Sequence, residues 1–153
     1  MTLVTLRKSL HMVSKSANDI VKEASKLGAC SKSGAVTDWK SLVWLFFSPQ
    51  GREFCEDNNF PNIKMFREMK PYVKDLGVLV DAGSITLKNN LNTGIIGDTQ
   101  AILEYTDNTK VHKLILMHGS KARIKVSNYA VLLLVNIGNC EVEIENDGTA
   151  KIM

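Results

Sequence analysis

Three histidines and three cysteines hold most of this chain's capacity for metal or nucleophilic chemistry: His11, His112, His118, Cys30, Cys55 and Cys140. Zinc sites draw on closely spaced ligand pairs, and none of these six residues forms one. His112 and His118 can share one face of a strand, but six extended residues separate them by ~20 Å, so one ion reaches both only if the chain folds back there. No metal and no cofactor is expected. A Cys–His nucleophile would need Cys55 or Cys140. Cys140 fills a slot that elsewhere holds Ala122, Ala130 and Ala150, and Cys55 follows Phe54 in a short helix. Both read as packed, inert thiols. Glu141, Glu143 and Glu145 alternate along the outward face of a strand, where water solvates them, and Glu53, Glu56 and Asp57 gather near a helix end. General acid–base work needs perturbed environments that such positions do not offer. The segment Thr93-Gly-Ile-Ile-Gly97-Asp98 contains GxxG, which clamps a nucleic-acid backbone only when a helix flanks each side. Here the middle is Ile95-Ile96 between strand-like flanks, so it reads as a tight β turn. No phosphate-binding loop and no GxSxG elbow occurs. With no catalytic residues identified, a small enzyme is the least supported reading.

The elements that would position these residues divide the chain in two. Residues 2–28 read as one helix. Leu3, Leu6, Leu10, Val13, Ala17, Ile20, Ala24 and Leu27 recur at alternating steps of 3 and 4, a heptad seam closed by Gly28. That seam (Leu3, Leu6, Leu10, Val13, Ile20 and Leu27) can dock on the rest of the chain or pair with its copy, most simply in a dimer. Thr37 is the expected cap of a second helix containing Leu42 to Phe47. Ser48-Pro49 opens a third, and Asn62 caps a fourth that Pro71 kinks or restarts as a new turn, closed by Gly77.

From Val78 onward the pattern is β. After Asp98 a short phrase recurs: a turn former, a small residue, then alternating apolar positions. It starts at Ala101, Val111, Ala122, Ala130, Cys140 and Ala150. Near-constant spacing with a small residue at most starts favours a stacked solenoid over an antiparallel meander or sandwich. The solenoid expected here is three-sided, with strand n beside strand n+3. The stretches Leu114 to Met117 and Val131 to Val135 are apolar on both faces, so both faces must be covered. The expected architecture is therefore α+β: a helical region, 1–76, packed on a β-repeat region, 77–153, as one cooperative unit.

The phrases from Ala101 to Met153 resemble the short-repeat β-solenoid or β-helix modules of phage and mobile-element proteins. The resemblance implies a non-enzymatic structural or interaction protein that presents a β-repeat surface, with an accessory role in such an element. The net charge of +3 is unevenly placed. Residues 1–35 hold Arg7, Lys8, Lys15, Lys22, Lys26 and Lys32 against Asp19 and Glu23, a surplus of four cations. Arg7, Lys8, Lys15, Lys22 and Lys26 are thus candidate nucleic-acid contacts, the alternative function. An odd number of cysteines without CxxC, no leader-like N-terminus and no long apolar run lead to the expectation of a cytoplasmic chain that does not cross a membrane. The expected partners are a second copy and an unidentified protein.

Overall fold

The computed structural model describes residues 16–29 and 36–153. Its order is four helices, then a parallel β-solenoid of about four turns, an α+β fold. The helices are α1 (Ala17–Lys26), α2 (Trp39–Phe47), α3 (Pro49–Asn58) and α4 (Ile63–Val73), with a 3-10 turn at Lys74–Leu76. The strands are β1 (Val78–Val80), β2 (Gly83–Lys88), β3 (Asn92–Ile96), β4 (Thr99–Tyr105), β5 (Val111–Met117), β6 (Lys121–Val126), β7 (Val131–Asn136), β8 (Glu141–Asn146) and β9 (Lys151–Ile152).

Local chemistry sets the helix starts. Ser16 and Asp19 form a reciprocal capping box on α1. Asp38, not Thr37, caps α2: its carboxylate accepts from the Ser41 N–H at 2.8 Å, while Ser41 Oγ accepts from the Asp38 N–H. Ser48 caps α3 ahead of Pro49, and Asn62 caps α4. The turn from α2 to α3 is tight enough that a Cβ on Gly51 would run into the Leu45 carbonyl oxygen.

The odd-numbered strands form one parallel sheet, β1-β3-β5-β7-β9, and the even-numbered strands a second, β2-β4-β6-β8. Strand n therefore lies beside strand n+2. The coil is two-sided, and the three-sided pairing of n with n+3 is not what forms. The outward charges match this register. The cations of β6 sit directly against the carboxylates of β8, Lys121 by Glu141 and Arg123 by Glu143, at 3.5 and 3.1 Å. Lys151 pairs with Val131 in the first sheet. Successive coils advance the chain by 16, 21 and 20 residues, as the register Val78, Gly94, Ile115, Val135 shows.

The repeated phrase starts are not one equivalent set. Ala101 pairs with Ala122 in the second sheet, and Val111 with Val131 in the first. The buried pair Ser120 and Cys140 lines one corner, with Oγ to Sγ at 3.6 Å. Ala130 and Ala150 line the opposite corner, the first fully buried and the second half-buried. Asn136 and Asn146 each brace the turn that follows them, donating from Nδ2 to the carbonyls of Cys140 and Ala150. The GxxG segment is strand β3 followed by a corner, so the chain enters the second coil earlier than the repeats suggest.

Between the two sheets lies an apolar filling built from Ile95, Leu103, Leu114, Leu116, Ile124 and Leu132. On the opposite face of the first sheet, Val78, Val80, Ile96, Ile115, Met117 and Ile137 pack against Phe47, Phe66, Met69 and Val73 of the helices. The first sheet is thus covered on both sides over β1, β3 and Leu114 to Met117 of β5. The expected second cover of β7 is incomplete: Val131, Leu133 and Val135 are only partly buried and Val111 of β5 is 45% exposed, because the helices pack over the other end of the sheet. Ile20 of α1 belongs to the same core, whereas Leu27 is exposed. The remaining seam residues, Leu3, Leu6, Leu10 and Val13, lie outside the described residues. Replacing Ala130 by leucine adds volume to a corner without space and should cost ~1–3 kcal/mol. A melting temperature equal to the parent's would contradict that packing.

Candidate interaction face

A parallel ladder in register stacks equivalent positions into straight rows. On the outer face of the second sheet there are three. Ser84, Gln100, Lys121 and Glu141 form the first, Thr86, Ile102, Arg123 and Glu143 the second, and Lys88, Glu104, Lys125 and Glu145 the third. The third alternates in sign along its whole length. Lys88 meets Glu104 at 3.6 Å within it. All these pairs are well exposed, so each adds little to stability and leaves a charge pattern legible from solution. Ile102, 53% exposed, stands in the middle row with charge on one side of it. A shallow depression of about 310 Å³ runs along the first two rows.

The residues considered for chemistry are dispersed or structurally engaged. His112 is buried, with Nδ1 facing the Asn90 carbonyl at 3.0 Å and Nε2 facing the Asp107 carbonyl at 3.2 Å and its carboxylate at 3.3 Å. His118, at a positive φ of 58°, has Nε2 2.7 Å from the Pro61 carbonyl and packs edge-on against Phe66. It ties a solenoid corner to the helical half. The two histidines have no ligand in common, and among the described residues no three His, Cys, Asp or Glu side chains converge to hold a metal ion. Burial pushes the Cys55 thiol up to about 12, which makes it a poor nucleophile. Cys55 instead lines an apolar cavity of about 90 Å³ between the helices, with Phe46, Phe54, Phe66 and Met69. Cys30 lies outside the described residues.

Of the basic residues, Arg7, Lys8 and Lys15 lie outside the described residues. Lys22 and Lys26 are exposed on α1, and Lys26 Nζ lies 3.1 Å from a Glu23 carboxylate oxygen. α1 thus carries two of the five candidate contacts, one of them in an exposed ion pair. Among the described residues, no helix is long and apolar enough to cross a membrane.

The sequence shows the outward charges of β6 and β8 as side-chain alternation. Their assembly with Lys88, Gln100, Ile102 and Glu104 into rows depends on the coil length. The usable signal is the 20-residue offset between Lys121-Ala-Arg-Ile-Lys125 and Glu141-Val-Glu-Ile-Glu145. The chain matches no protein-family model, no curated protein and no solved structure.

Two expectations follow from the polar groups that hold this face in place. Asp81, at a positive φ of 47°, accepts from Arg67 Nε at 2.7 Å and from the Asp98 N–H at 2.8 Å, while its carbonyl accepts from Lys70. These contacts, the Arg67 bond foremost, hold its carboxyl below the usual carboxylate range. A depressed folded-state pKa contributes stability above the unfolded value, and that stability is lost as pH falls through the folded one. The acid side of a melting-temperature profile should therefore be shallower in Asp81→Asn than in the parent, and parallel profiles would contradict this role. Inside the coil, the hydroxyls of Tyr105 and Thr93 are buried without a hydrogen-bond partner among the described residues. Burial pushes the Tyr105 phenol up. The nearby Thr93 hydroxyl offsets part of that rise without reaching hydrogen-bond geometry. Tyr105→Phe should leave stability unchanged or raise it by up to ~1 kcal/mol; a loss beyond ~1 kcal/mol in denaturant titration would reveal a partner.

Proposed function

We propose that this chain is a non-enzymatic interaction protein whose solenoid presents a patterned β surface. The observation that carries the reading is the outer face of the second sheet. It is rigidly registered and exposed, and it is crossed by rows of charge around an uncovered isoleucine. Ion pairs this exposed contribute little to holding the coil together. A fixed array of charge does serve electrostatic complementarity, which steers partners and fixes their register. The helical half supports the reading by covering the other sheet and leaving this one open.

The resemblance of the repeats to phage and mobile-element solenoids makes an accessory role in such an element part of the proposal. Self-association, most simply as a dimer, is part of it too, through the Leu3 to Leu27 seam, of which Leu27 stands exposed at the end of α1.

The test is a double charge swap, Arg123→Glu with Glu143→Arg, which preserves the pair and reverses the pattern. The melting temperature should stay with the parent's while recovery of a binding partner from native extract is lost. Equal recovery of the same partner by both proteins would show that this face is not the one read. Light scattering addresses the dimer: a mass near 17.0 kDa at micromolar concentration would remove it.

A further inference from the structure

We infer that the far edge of β8 is a docking site for an extended partner segment in which lysine or arginine alternates with small aliphatic residues. This rests on the reading of the solenoid as an interaction scaffold and names the partner's chemistry.

Three observations converge there. The second sheet is ordered β2-β4-β6-β8, so no described strand pairs with the outer edge of β8. The Asp147 N–H bonds the Val126 carbonyl at 3.2 Å, and strand alternation then turns the N–H and C=O groups of Val142 and Ile144 toward the open edge. These are the groups that strand addition uses.

The apolar filling of the coil also lacks a cover at this end. Ile124 and Ile144 occupy equivalent positions in successive coils, yet Ile124 is 0% exposed and Ile144 45%. What buries Ile124 is the strand on either side of it. Ile144 has such a strand on one side alone. Ile152 on β9 is half-buried, while its partner Leu132 is fully buried.

The charge selects the occupant. Glu141, Glu143 and Glu145 present three carboxylates at alternate positions along the edge strand. The molecule already shows which strand satisfies such a row. β6 reads Lys-Ala-Arg-Ile-Lys-Val, places its cations beside those glutamates at 3.5 and 3.1 Å, and packs its aliphatic residues inward. A second strand of that composition on the open side would repeat the same contacts and cover Val142 and Ile144. A second copy of this chain fits less well. A twofold arrangement sets one glutamate row against another, which destabilises directly opposed positions. A head-to-tail arrangement offers Ser84, Thr86 and Lys88 of β2, one cation for three carboxylates.

The probe is a fluorescently labelled octapeptide, Ser-Lys-Ala-Arg-Ile-Lys-Val-Ser, copied from residues 120–127 and titrated with the full chain by anisotropy. Saturable binding is expected, weakening at high salt because exposed charges are screened. Glu145→Lys should weaken it ~10-fold, as should a peptide with glutamate at its cationic positions. Ile144→Pro removes an N–H that faces the open edge, so the fold should persist while binding is lost. Binding that survives Ile144→Pro in a protein with the parent's melting temperature overturns strand addition. If that variant does not fold, Glu145→Lys and the salt series decide, and binding indifferent to both overturns the charge rule. No binding to the parent overturns the proposal. A parent that sediments as an oligomer dissolved by Ile144→Pro assigns the edge to a second copy and also overturns it. Partner recovery that still depends on the Arg123 and Glu143 face, with no peptide binding, would sink the edge proposal and leave the scaffold reading standing.

Discussion

The first sheet is largely apolar on both faces, and the rest of the molecule covers its coil-facing side throughout and its helix-facing side over β1, β3 and the C-terminal part of β5. One face is covered by the second sheet, which shares its strands' corners; the other is covered, over that span, by α1 to α4. Parallel strands buried on two sides are stable only inside such a sandwich, because either face alone would be a large exposed apolar patch. The contacts between the halves reflect that demand. Lys113, on the helix-facing side of β5, reaches the carbonyl of Phe47 at the C-terminal end of α2, where a cation complements the helix dipole. Gly94 lies beneath the Phe46 ring, with room for a Cβ only at van der Waals contact. Asp81 binds the first solenoid corner to Arg67 and Lys70 of α4.

With the first sheet largely enclosed, the second is free to face solvent, and its inner and outer residues separate cleanly. β6 buries Ala122, Ile124 and Val126 and exposes Lys121, Arg123 and Lys125. The coil length then converts alternation along one strand into rows across four. Strands held in register set each position directly above the last, so the identity of one outward residue constrains the next: cation above carboxylate is favourable, like above like is not. The corners absorb the difference between coils of 16, 21 and 20 residues. Asn128 at positive φ donates to the Thr106 carbonyl, Asn108 donates to the Asn128 carbonyl, and Asn89 accepts from the Thr106 N–H, so the polar side chains on one edge of the solenoid link coil to coil.

The residues show some of this directly and hide the rest for identifiable reasons. The strands from β4 to β9 are visible because each has a turn former before it and alternating apolar positions within it. The covering of β5 is visible because both faces of Leu114 to Met117 are apolar. The number of strands per coil is not visible in spacing alone, since strand starts about ten residues apart suit two or three sides equally well. The decisive signal is the match of Lys121, Arg123 and Lys125 to Glu141, Glu143 and Glu145, two strands later. β3 is disguised because Gly94 and Gly97 resemble turn residues, though only Gly97 has a positive φ, 68°, where an added Cβ would meet the Asp81 carboxylate. The cap of α2 shifts from Thr37 to Asp38 because Ser41 stands three residues after the aspartate and returns its hydrogen bond. The candidate face was the least legible part. None of its residues is unusual alone, and Ile102 looks like any strand isoleucine until register places it on the open side.

The two ends of the solenoid are chemically different, which gives the stack a direction. At the β1 end the first corner is fastened to α4 through Asp81, and Val78 and Val80 are buried beneath the helices. At the β8 end the inward residues Val142 and Ile152 are half-buried, Ile144 is exposed, and the outward row carries three carboxylates. Stacked repeats are stabilised by nearest neighbours, so a terminal coil without an outer neighbour is the least stable of the series unless something caps it. An exposed strand edge is ordinarily blunted by charge, and the glutamates of β8 do that against other copies of themselves. The same row that repels a like edge attracts a cationic one. A single feature, the alternation of glutamate with valine and isoleucine on the last long strand, therefore both limits indiscriminate stacking and defines the strand that can complete the coil.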